Sequence, residues 1–368
     1  MTASVSLLGL ATAVPPFVLE QGDIAGRAHV LFGPLFARFP QLADVFANAG
    51  IARRYSVRPV DWFYRPLDWG ERAKAYVEGA SELFLKAARE ALARSRLSPA
   101  DVDIVVTVSS TGIATPSLEA RVGQVLGLRP DVVRVPVFGL GCAGGVAGLA
   151  LASRLARAEP GKTVLLVVVE LCTLAFRRDR AAKADVIATA LFGDGAAAAV
   201  LRAGAERAAI ARIGSAGEHL WPNTLDIMGW SVDPVGFGVL LSRALPRFVE
   251  QRIAAPLQRF IDGAELDPAA RLVCHPGGAK VLAALESALR LAPGTLADER
   301  AVLKDFGNMS APTVLFVLER AHASGQAGPC ALSALGPGFT ASFLALDLTM
   351  PGPHSQDGRL RPEPQYAA

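Results

Sequence analysis

The sequence predicts an α/β protein whose sheets are covered by helices. Short valine-rich apolar runs alternate along the chain with alanine-rich segments that carry apolar residues at helical spacing. Of the 368 residues, 51% are hydrophobic and 19% are charged, so the chain can bury enough apolar surface to form a large core. The predicted elements follow one another with no conventional linker, which is typical of a layered α/β fold.

The elements are taken in order from the N-terminus. Residues 5–14 predict a first strand, because this apolar run has no Lys or Arg before Arg27 and lacks the basic segment of a signal peptide. Residues 71–96 carry apolar side chains at helical spacing, and Ser98 and Pro99 end that helix. The mainly apolar run 103–108 predicts a buried strand. Further helices are predicted at 117–127, 143–158, about 240–262, 277–290 and 311–324. Further strands are predicted at 132–138, 163–170, 196–201, 208–213, 271–274, 329–334 and 341–348.

A change of composition divides the chain in two. The region 214–235 is rich in turn residues and is predicted to be irregular. We therefore expect an N-terminal half at 1–215 and a C-terminal half at 216–350. The polar segment 351–368 is predicted to be a flexible tail.

Charge and cysteine content exclude several classes of protein. The net charge of +3 and the lack of a basic block argue against nucleic-acid binding. The longest apolar stretch, 163–174, is interrupted by Glu170 and is too short to span a bilayer. The four cysteines form no CxxC pair and no disulfide framework, and no metal cluster is predicted. A cytoplasmic enzyme is expected.

Three residues lie at glycine-flanked element boundaries. Cys142 lies in 138–146 (Phe-Gly-Leu-Gly-Cys-Ala-Gly-Gly-Val), between a strand and a helix, where the helix N-terminus favours a thiolate. His275 follows a strand and precedes Pro-Gly-Gly, and Asn308 follows Gly307 ahead of an apolar helix. Cys, His and Asn are the nucleophile, base and oxyanion donor of thioester chemistry. A packing cysteine, a capping histidine and a turn asparagine are the alternatives, and packing is favoured for Cys172, Cys274 and Cys330.

The motifs around these residues resemble the type III polyketide synthases, the chalcone and stilbene synthase superfamily. The matching segments, in the family's order, are 123–130 (GQVLGLRP), 141–145 (GCAGG), 191–198 (LFGDGAAA), 275–278 (HPGG), 307–310 (GNMS) and 336–338 (GPG). The resemblance implies a thiolase-like α/β/α/β/α fold of two similar halves and no cofactor besides CoA thioester substrates. It also implies that Cys142 carries the starter acyl group and that His275 keeps Cys142 as a thiolate. His275 and Asn308 would then stabilise the enolate formed from malonyl-CoA.

The resemblance also assigns a substrate pocket. Phe192 matches the family's gatekeeper phenylalanine, and Val239 stands where plant enzymes have a second one. Cys172 and Ala175 replace threonines of the plant starter pocket. Because these side chains are small or apolar, we expect a long acyl starter and products like those of the bacterial alkylresorcinol and alkylpyrone synthases. The remaining pocket residues implied by the motifs are Ser310, Gly336, Pro337 and Gly338.

Partners are also implied by the resemblance. CoA phosphates are expected at Arg53, Arg54 or Lys280, because the stretch that is basic in plant relatives here carries Gln41, Asp44 and Asn48. A homodimer is expected, with Thr115 at the place of the family's subunit-crossing methionine. The starter arrives as acyl-CoA or on an acyl carrier protein. The alternatives are a ketoacyl synthase III-type enzyme that performs one condensation and a catalytically silent acyl-binding scaffold.

Overall fold

A computed structural model of the chain describes residues 4–204, 209–267 and 270–350. The tail predicted at 351–368 lies outside the described residues. The strands are β1 (Val5–Ala13), β2 (Phe17–Glu20), β3 (Arg53–Ser56), β4 (Ile104–Val108), β5 (Val133–Val137), β6 (Thr163–Leu171), β7 (Asp194–Ala203), β8 (Ala211–Leu220), β9 (Met228–Asp233), β10 (Gly236–Leu241), β11 (Arg271–Cys274), β12 (Gly328–Gly336) and β13 (Thr340–Leu348). The helices are α1 (Gln21–Leu31), α2 (Gly33–Arg38), α3 (Asp44–Asn48), α4 (Trp69–Ser95), α5 (Leu118–Leu126), α6 (Gly144–Ala158), α7 (Lys183–Leu191), α8 (Leu245–Arg252), α9 (Ala254–Gly263), α10 (Ala279–Leu289), α11 (Ala297–Phe306) and α12 (Thr313–Ala323).

Nine strands form one mixed sheet in the order β11-β12-β13-β8-β1-β7-β6-β4-β5. Its two halves meet at a short antiparallel pairing of Val5–Leu7 on β1 with residues 211–213 on β8. Helices α6 and α12 contribute to the core between the halves, α4 and α5 cover the outer face of one half, and α8 to α10 cover the other. The layered α/β fold implied by the resemblance is confirmed.

The central layer explains two sequence patterns. All nine residues of β6 are buried, as expected for a strand covered by helices on both faces. Helix α6 is rich in small residues because it lies between two half-sheets and against α12. A Cβ at Gly145 would lie 2.3 Å from the carbonyl oxygen of Ala311, and one at Gly144 would lie 2.8 Å from Val108. Glycine at these positions therefore allows the layers to pack closely.

The predictions for the second half were partly wrong. The region 214–235 is irregular only in part: residues 221–227 form turns, but β8 continues to Leu220 and β9 follows at Met228–Asp233. The helix predicted at about 240–262 begins later, because 236–241 pair with β9 as strand β10. It is also divided into α8 and α9, and Pro256 in the first turn of α9 has no N–H to continue a single helix. Helices α1 to α3, α7 and α11 and strands β2 and β3 were not predicted. None of the described helices is long and apolar enough to cross a membrane.

Candidate active site

A glycine-containing turn presents Cys142 just before α6. Strand β5 ends at Val137, and the chain reaches the 3₁₀ turn Gly141–Ala143 through Gly139 and Gly141, whose φ angles are 91° and 49°. The side-chain oxygen of Ser110 accepts the backbone N–H groups of both glycines, at 3.2 and 3.1 Å. Glycine is favoured at both positions because L side chains rarely adopt such φ values. The turn therefore fixes the place of the Cys142 sulfur.

The Gly336–Gly338 segment packs behind this turn. A Cβ at Gly336 would lie 2.6 Å from Cβ of Ala143, and one at Gly141 would lie 2.6 Å from Cδ of Pro337. Gly336 and Pro337 therefore support the nucleophile turn, while Gly338 lies beyond them at a φ of 101°. The sequence predicted these residues as pocket residues. The structure places the first two against the backbone that carries Cys142.

His275 and Asn308 come from the other half of the molecule. His275 follows β11, and its backbone N–H donates to the carbonyl of Ser333 at 2.9 Å. The Asn308 amide nitrogen donates to the carbonyl of Gly277 at 3.0 Å, and its oxygen accepts the backbone N–H of Ser310 at 2.7 Å. These two bonds orient the amide and leave its second N–H to hydrogen-bond with the Cys142 thiol. Beside the sulfur, this N–H can also donate to a substrate oxygen.

Cys142, His275 and Asn308 line one cavity of about 400 Å³, which we call the outer cavity. The three residues are buried, being 8%, 6% and 4% exposed. Phe192 lines the same cavity and is tied to Asn308 by backbone bonds on both sides: Asn308 N–H donates to Leu191 at 2.9 Å, and Gly193 N–H donates to Asn308 at 3.0 Å. The structure thus brings the three predicted catalytic residues and Phe192 together.

Burial sets the charge state of the pair Cys142 and His275. Desolvation raises the pKa of the Cys142 thiol to about 11, although hydrogen bonding with the side chains of Ser310 and Asn308 opposes the rise. Desolvation also lowers the pKa of His275 to about 3. Burial thus favours the neutral thiol and the neutral imidazole, and it opposes the thiolate that the sequence analysis expects. Neither ring nitrogen of His275 has a hydrogen-bond partner among the described residues, which leaves the ring free to take the thiol proton.

A second cavity, which we call the inner cavity, shares Phe192 with the outer cavity and measures about 90 Å³. Its lining includes Cys172, Ala175 and Val239, which are the three residues predicted for the starter pocket. The other lining residues are mainly apolar and include Leu19, Ile24, Ala28, Leu31, Val60, Phe63 and Phe176. The contribution of α1 was missed, because residues 21–48 were not predicted as helices.

The basic residues predicted for CoA binding lie in three different places. Lys280 lines the outer cavity together with Gln41 and Asn48. Arg53 lines neither cavity, and its guanidinium lies 3.8 Å from the carboxylate of Asp305. Arg54 is only 2% exposed and lines the inner cavity, so its position does not fit a contact with phosphates at the mouth of the outer one.

The outer cavity has a further basic residue that the sequence analysis missed. Arg243 is exposed and lines this cavity as Lys280 does. It lies just after β10, within a segment that was predicted to be helical. The two cations together give the mouth of the cavity a positive charge that suits phosphate groups.

The layered fold, with one cavity lined by Cys142, His275 and Asn308, defines a thiolase-like condensing enzyme. The family model for the chalcone and stilbene synthase N-terminal domain matches residues 69–205, and that for the C-terminal domain matches 212–345. The chain therefore belongs to the chalcone and stilbene synthase family, the type III polyketide synthases. Enzymes of this family are acyltransferases that condense CoA thioesters, including malonyl-CoA and acyl-CoA, and need no metal or other cofactor. They are typically homodimers.

Individual relatives cover nearly the whole chain. A 1,3,6,8-tetrahydroxynaphthalene synthase of Streptomyces peucetius subsp. caesius is 37% identical over 93% of this chain and 92% of its own length. The α-pyrone synthesis polyketide synthase-like Pks18 of Mycobacterium tuberculosis is 29% identical over 92% of this chain and 90% of its own. The crystal structure of the tetrahydroxynaphthalene synthase of Streptomyces coelicolor A3(2) matches with a TM-score of 0.88 at 26% identity, covering 94% of this chain and 100% of that one.

Proposed function

We propose that this type III polyketide synthase extends a long-chain acyl starter with malonyl-CoA and cyclises the product. The observation that carries the catalytic part is the single outer cavity lined by Cys142, His275 and Asn308. In the first step, neutral His275 accepts the proton of Cys142. The thiolate then attacks the acyl thioester carbonyl, and the CoA thiolate leaves.

Malonyl-CoA then loses its carboxylate as carbon dioxide. The electron pair of the broken C–C bond enters an enolate, whose oxygen accepts hydrogen bonds from the second N–H of Asn308 and from His275. The enolate carbon attacks the acyl carbonyl on Cys142, forming the new C–C bond and releasing the thiolate. Phe192 closes the inner side of the cavity and helps to keep water from the carbanion. In this scheme the N-terminal half supplies the nucleophile and the C-terminal half supplies the decarboxylating pair.

The inner cavity supports a long acyl starter. Cys172, Ala175 and Val239 leave room beyond Phe192, and most of the other lining side chains are apolar. Each buried methylene contributes about 0.8 kcal/mol, so a longer chain binds more tightly as long as the cavity has space for it. Lactonisation of the extended chain gives an alkylpyrone, and aldol closure gives an alkylresorcinol. The similarity to Pks18, named for α-pyrone synthesis, supports the pyrone.

Two binding surfaces complete this proposal. Lys280 and Arg243 at the outer cavity are suited to the phosphates of CoA or to the phosphopantetheine of an acyl carrier protein. The homodimer is proposed to form near Thr115, where the apolar side chains of Ile113 and Phe138 are 56% and 57% exposed.

Tetrahydroxynaphthalene synthesis is a second candidate function. It is favoured by the 37% identity to the Streptomyces peucetius enzyme. The experiment that separates the candidates is mass spectrometry of products formed from malonyl-CoA alone and with starters from acetyl-CoA to stearoyl-CoA. The Cys142→Ala variant is the control.

Alkylpyrones or alkylresorcinols that lengthen with the starter and vanish in Cys142→Ala are expected. Tetrahydroxynaphthalene from malonyl-CoA alone, with no starter-dependent product, would support the second candidate. A single β-ketoacyl product would move the protein to the one-condensation class.

A further inference from the structure

Arg54 is a buried cation whose hydrogen-bonding capacity is only partly used. Its side chain is 2% exposed, and its Nη1 donates to the carbonyl oxygen of Phe192 at 2.7 Å. Its Nε and Nη2 have no hydrogen-bond partner among the described residues. Burial lowers the pKa of Arg54 to about 10, which still leaves it charged at neutral pH. Two donors of a charged group thus remain unsatisfied in the interior, which is costly unless a ligand uses them.

The nearest acid does not neutralise Arg54 by direct contact. The Asp194 carboxylate accepts the backbone N–H groups of Val57 and Thr173, at 2.9 and 2.8 Å, and the Thr173 hydroxyl at 2.7 Å. Arg54 forms no ion pair within 4.0 Å in the part of the chain that the structure describes, although the charge of Asp194 stabilises the guanidinium at longer range. The acid is thus occupied by other donors.

The backbone around Arg54 is shaped to hold it. A Cβ at Gly307 would lie 2.5 Å from Cγ of Arg54, and one at Gly193 would lie 3.3 Å from its Cβ. Gly307 directly precedes Asn308, and Gly193 directly follows Phe192. The arginine stem is therefore packed between the two segments that carry the oxyanion donor and the gatekeeper.

The place of Arg54 indicates which part of a substrate it meets. It lines the inner cavity at Phe192, and the same Phe192 lines the outer cavity that holds Cys142. One extension leaves the chain on CoA, and attack of the Cys142 thiolate on that thioester returns the chain to Cys142 and releases the CoA thiolate. The chain on Cys142 then carries a thioester carbonyl and a ketone separated by one CH₂ group. These oxygens lie close to the sulfur, ahead of the alkyl chain. A group at the boundary of the two cavities would thus meet oxygens rather than methylenes.

We propose that the Nε–Nη2 edge of Arg54 binds the two oxygens of a 1,3-dicarbonyl unit in its enolate form. This inference rests on the proposed polyketide extension. The enolate forms when the central CH₂ group releases one proton to solvent, and its charge is shared by two oxygens in one plane. A guanidinium edge donates two parallel N–H bonds and matches such a pair, as it does in carboxylate recognition. Arg54 would hold the extended intermediate between rounds and protect it from premature release.

The test uses a non-reactive probe, the long-chain 1,3-diketone tridecane-2,4-dione. The enolate of such a diketone has its own near-ultraviolet absorption band, so the pH at which it forms can be followed with and without protein. We expect the wild-type protein to shift enolate formation to lower pH, by at least one pH unit. Arg54→Gln should abolish the shift. Arg54→Lys should keep only part of it, because lysine retains the charge but not the two parallel N–H donors of the guanidinium.

Arg157→Gln is the matched control, because Arg157 also donates to main-chain carbonyls, those of Ile213 and Gly214, and lines neither cavity. It should shift the diketone as the wild type does. No shift in the wild type, or the same full shift in Arg54→Gln or Arg54→Lys, would overturn the proposal. If Arg54→Gln does not fold, judged by circular dichroism, Arg54→Lys decides alone. Acylation of Cys142 by dodecanoyl-CoA, followed by intact-protein mass, tests the proposed function separately.

Discussion

The substitution Val239→Phe tests whether the inner cavity holds the starter chain. Val239 lies on β10, is 4% exposed and lines this cavity. Replacing valine by phenylalanine there would take up space equivalent to about two methylenes of the acyl chain. At about 0.8 kcal/mol for each methylene, the loss for a long starter is about 1.6 kcal/mol, which is about 15-fold in kcat/KM. A starter too short to reach Val239 should lose nothing.

The assay measures kcat/KM for hexanoyl-CoA and for tetradecanoyl-CoA, with malonyl-CoA held saturating. Val232→Phe is the control, because Val232 lies on the paired strand β9 but is 66% exposed. Overpacking at Val239 costs about 1–3 kcal/mol of stability, so the folded fraction is measured by thermal unfolding. An equal loss for both starters, with the variant folded, would refute the assignment of the inner cavity to the starter chain.

Three further predictions concern the backbone, the buried charges and the nucleophile. Gly336→Ala should slow acylation of Cys142 at least tenfold in a folded protein, because the added Cβ would press on the turn that carries Cys142. Gly229→Ala is the control and should not slow it, because the space around Gly229 is open. The acyl-enzyme formed by each variant is measured by intact-protein mass spectrometry. Burial raises the pKa of Glu299 to about 7, so the stability that its neutral form contributes is present at low pH and lost as pH rises through about 7. Between about pH 5 and pH 8, wild type should lose about 2 kcal/mol more unfolding free energy than Glu299→Gln in urea melts, and equal losses would contradict this. Because burial raises the pKa of the Cys142 thiol, His275→Phe should be alkylated by iodoacetamide at least tenfold more slowly than wild type at neutral pH, and an unchanged rate would show that the imidazole is not the base.

The sequence allowed the central layers of the fold to be predicted closely. Strand β11 was predicted with its observed bounds, and β6 and α6 were predicted to within one residue. A buried strand gives a continuous apolar run in the sequence, and a helix gives apolar residues at helical spacing. Residues 214–235 were misread because turn residues such as Gly, Asn and Asp occur at strand ends as well as in loops. Only the pairing of β8 with β13 and of β9 with β10 reveals the strands. Long-range pairing of this kind leaves little trace in local composition.

The residues of the candidate site also differ in how well the sequence predicted their place. Cys142, His275 and Asn308 carry strong local motifs, and the structure brings them to one cavity. Arg54 carries no such motif, and its burial depends on Gly193 and Gly307, which are distant in sequence. The charge of Arg54 therefore led to the prediction that it contacts CoA phosphates at the surface, but the residue is buried.

The central claim is that Cys142 is the nucleophile, whereas His275 and Asn308 promote the decarboxylation of malonyl-CoA. One measurement tests this claim directly. The conversion of malonyl-CoA to acetyl-CoA is followed by liquid chromatography and mass spectrometry, without any starter. The account predicts that Cys142→Ala still forms acetyl-CoA and that the double variant Cys142→Ala, Asn308→Leu forms at least a hundredfold less, about 2.7 kcal/mol of enolate stabilisation. Equal rates in the two variants, or no acetyl-CoA from Cys142→Ala, would contradict it.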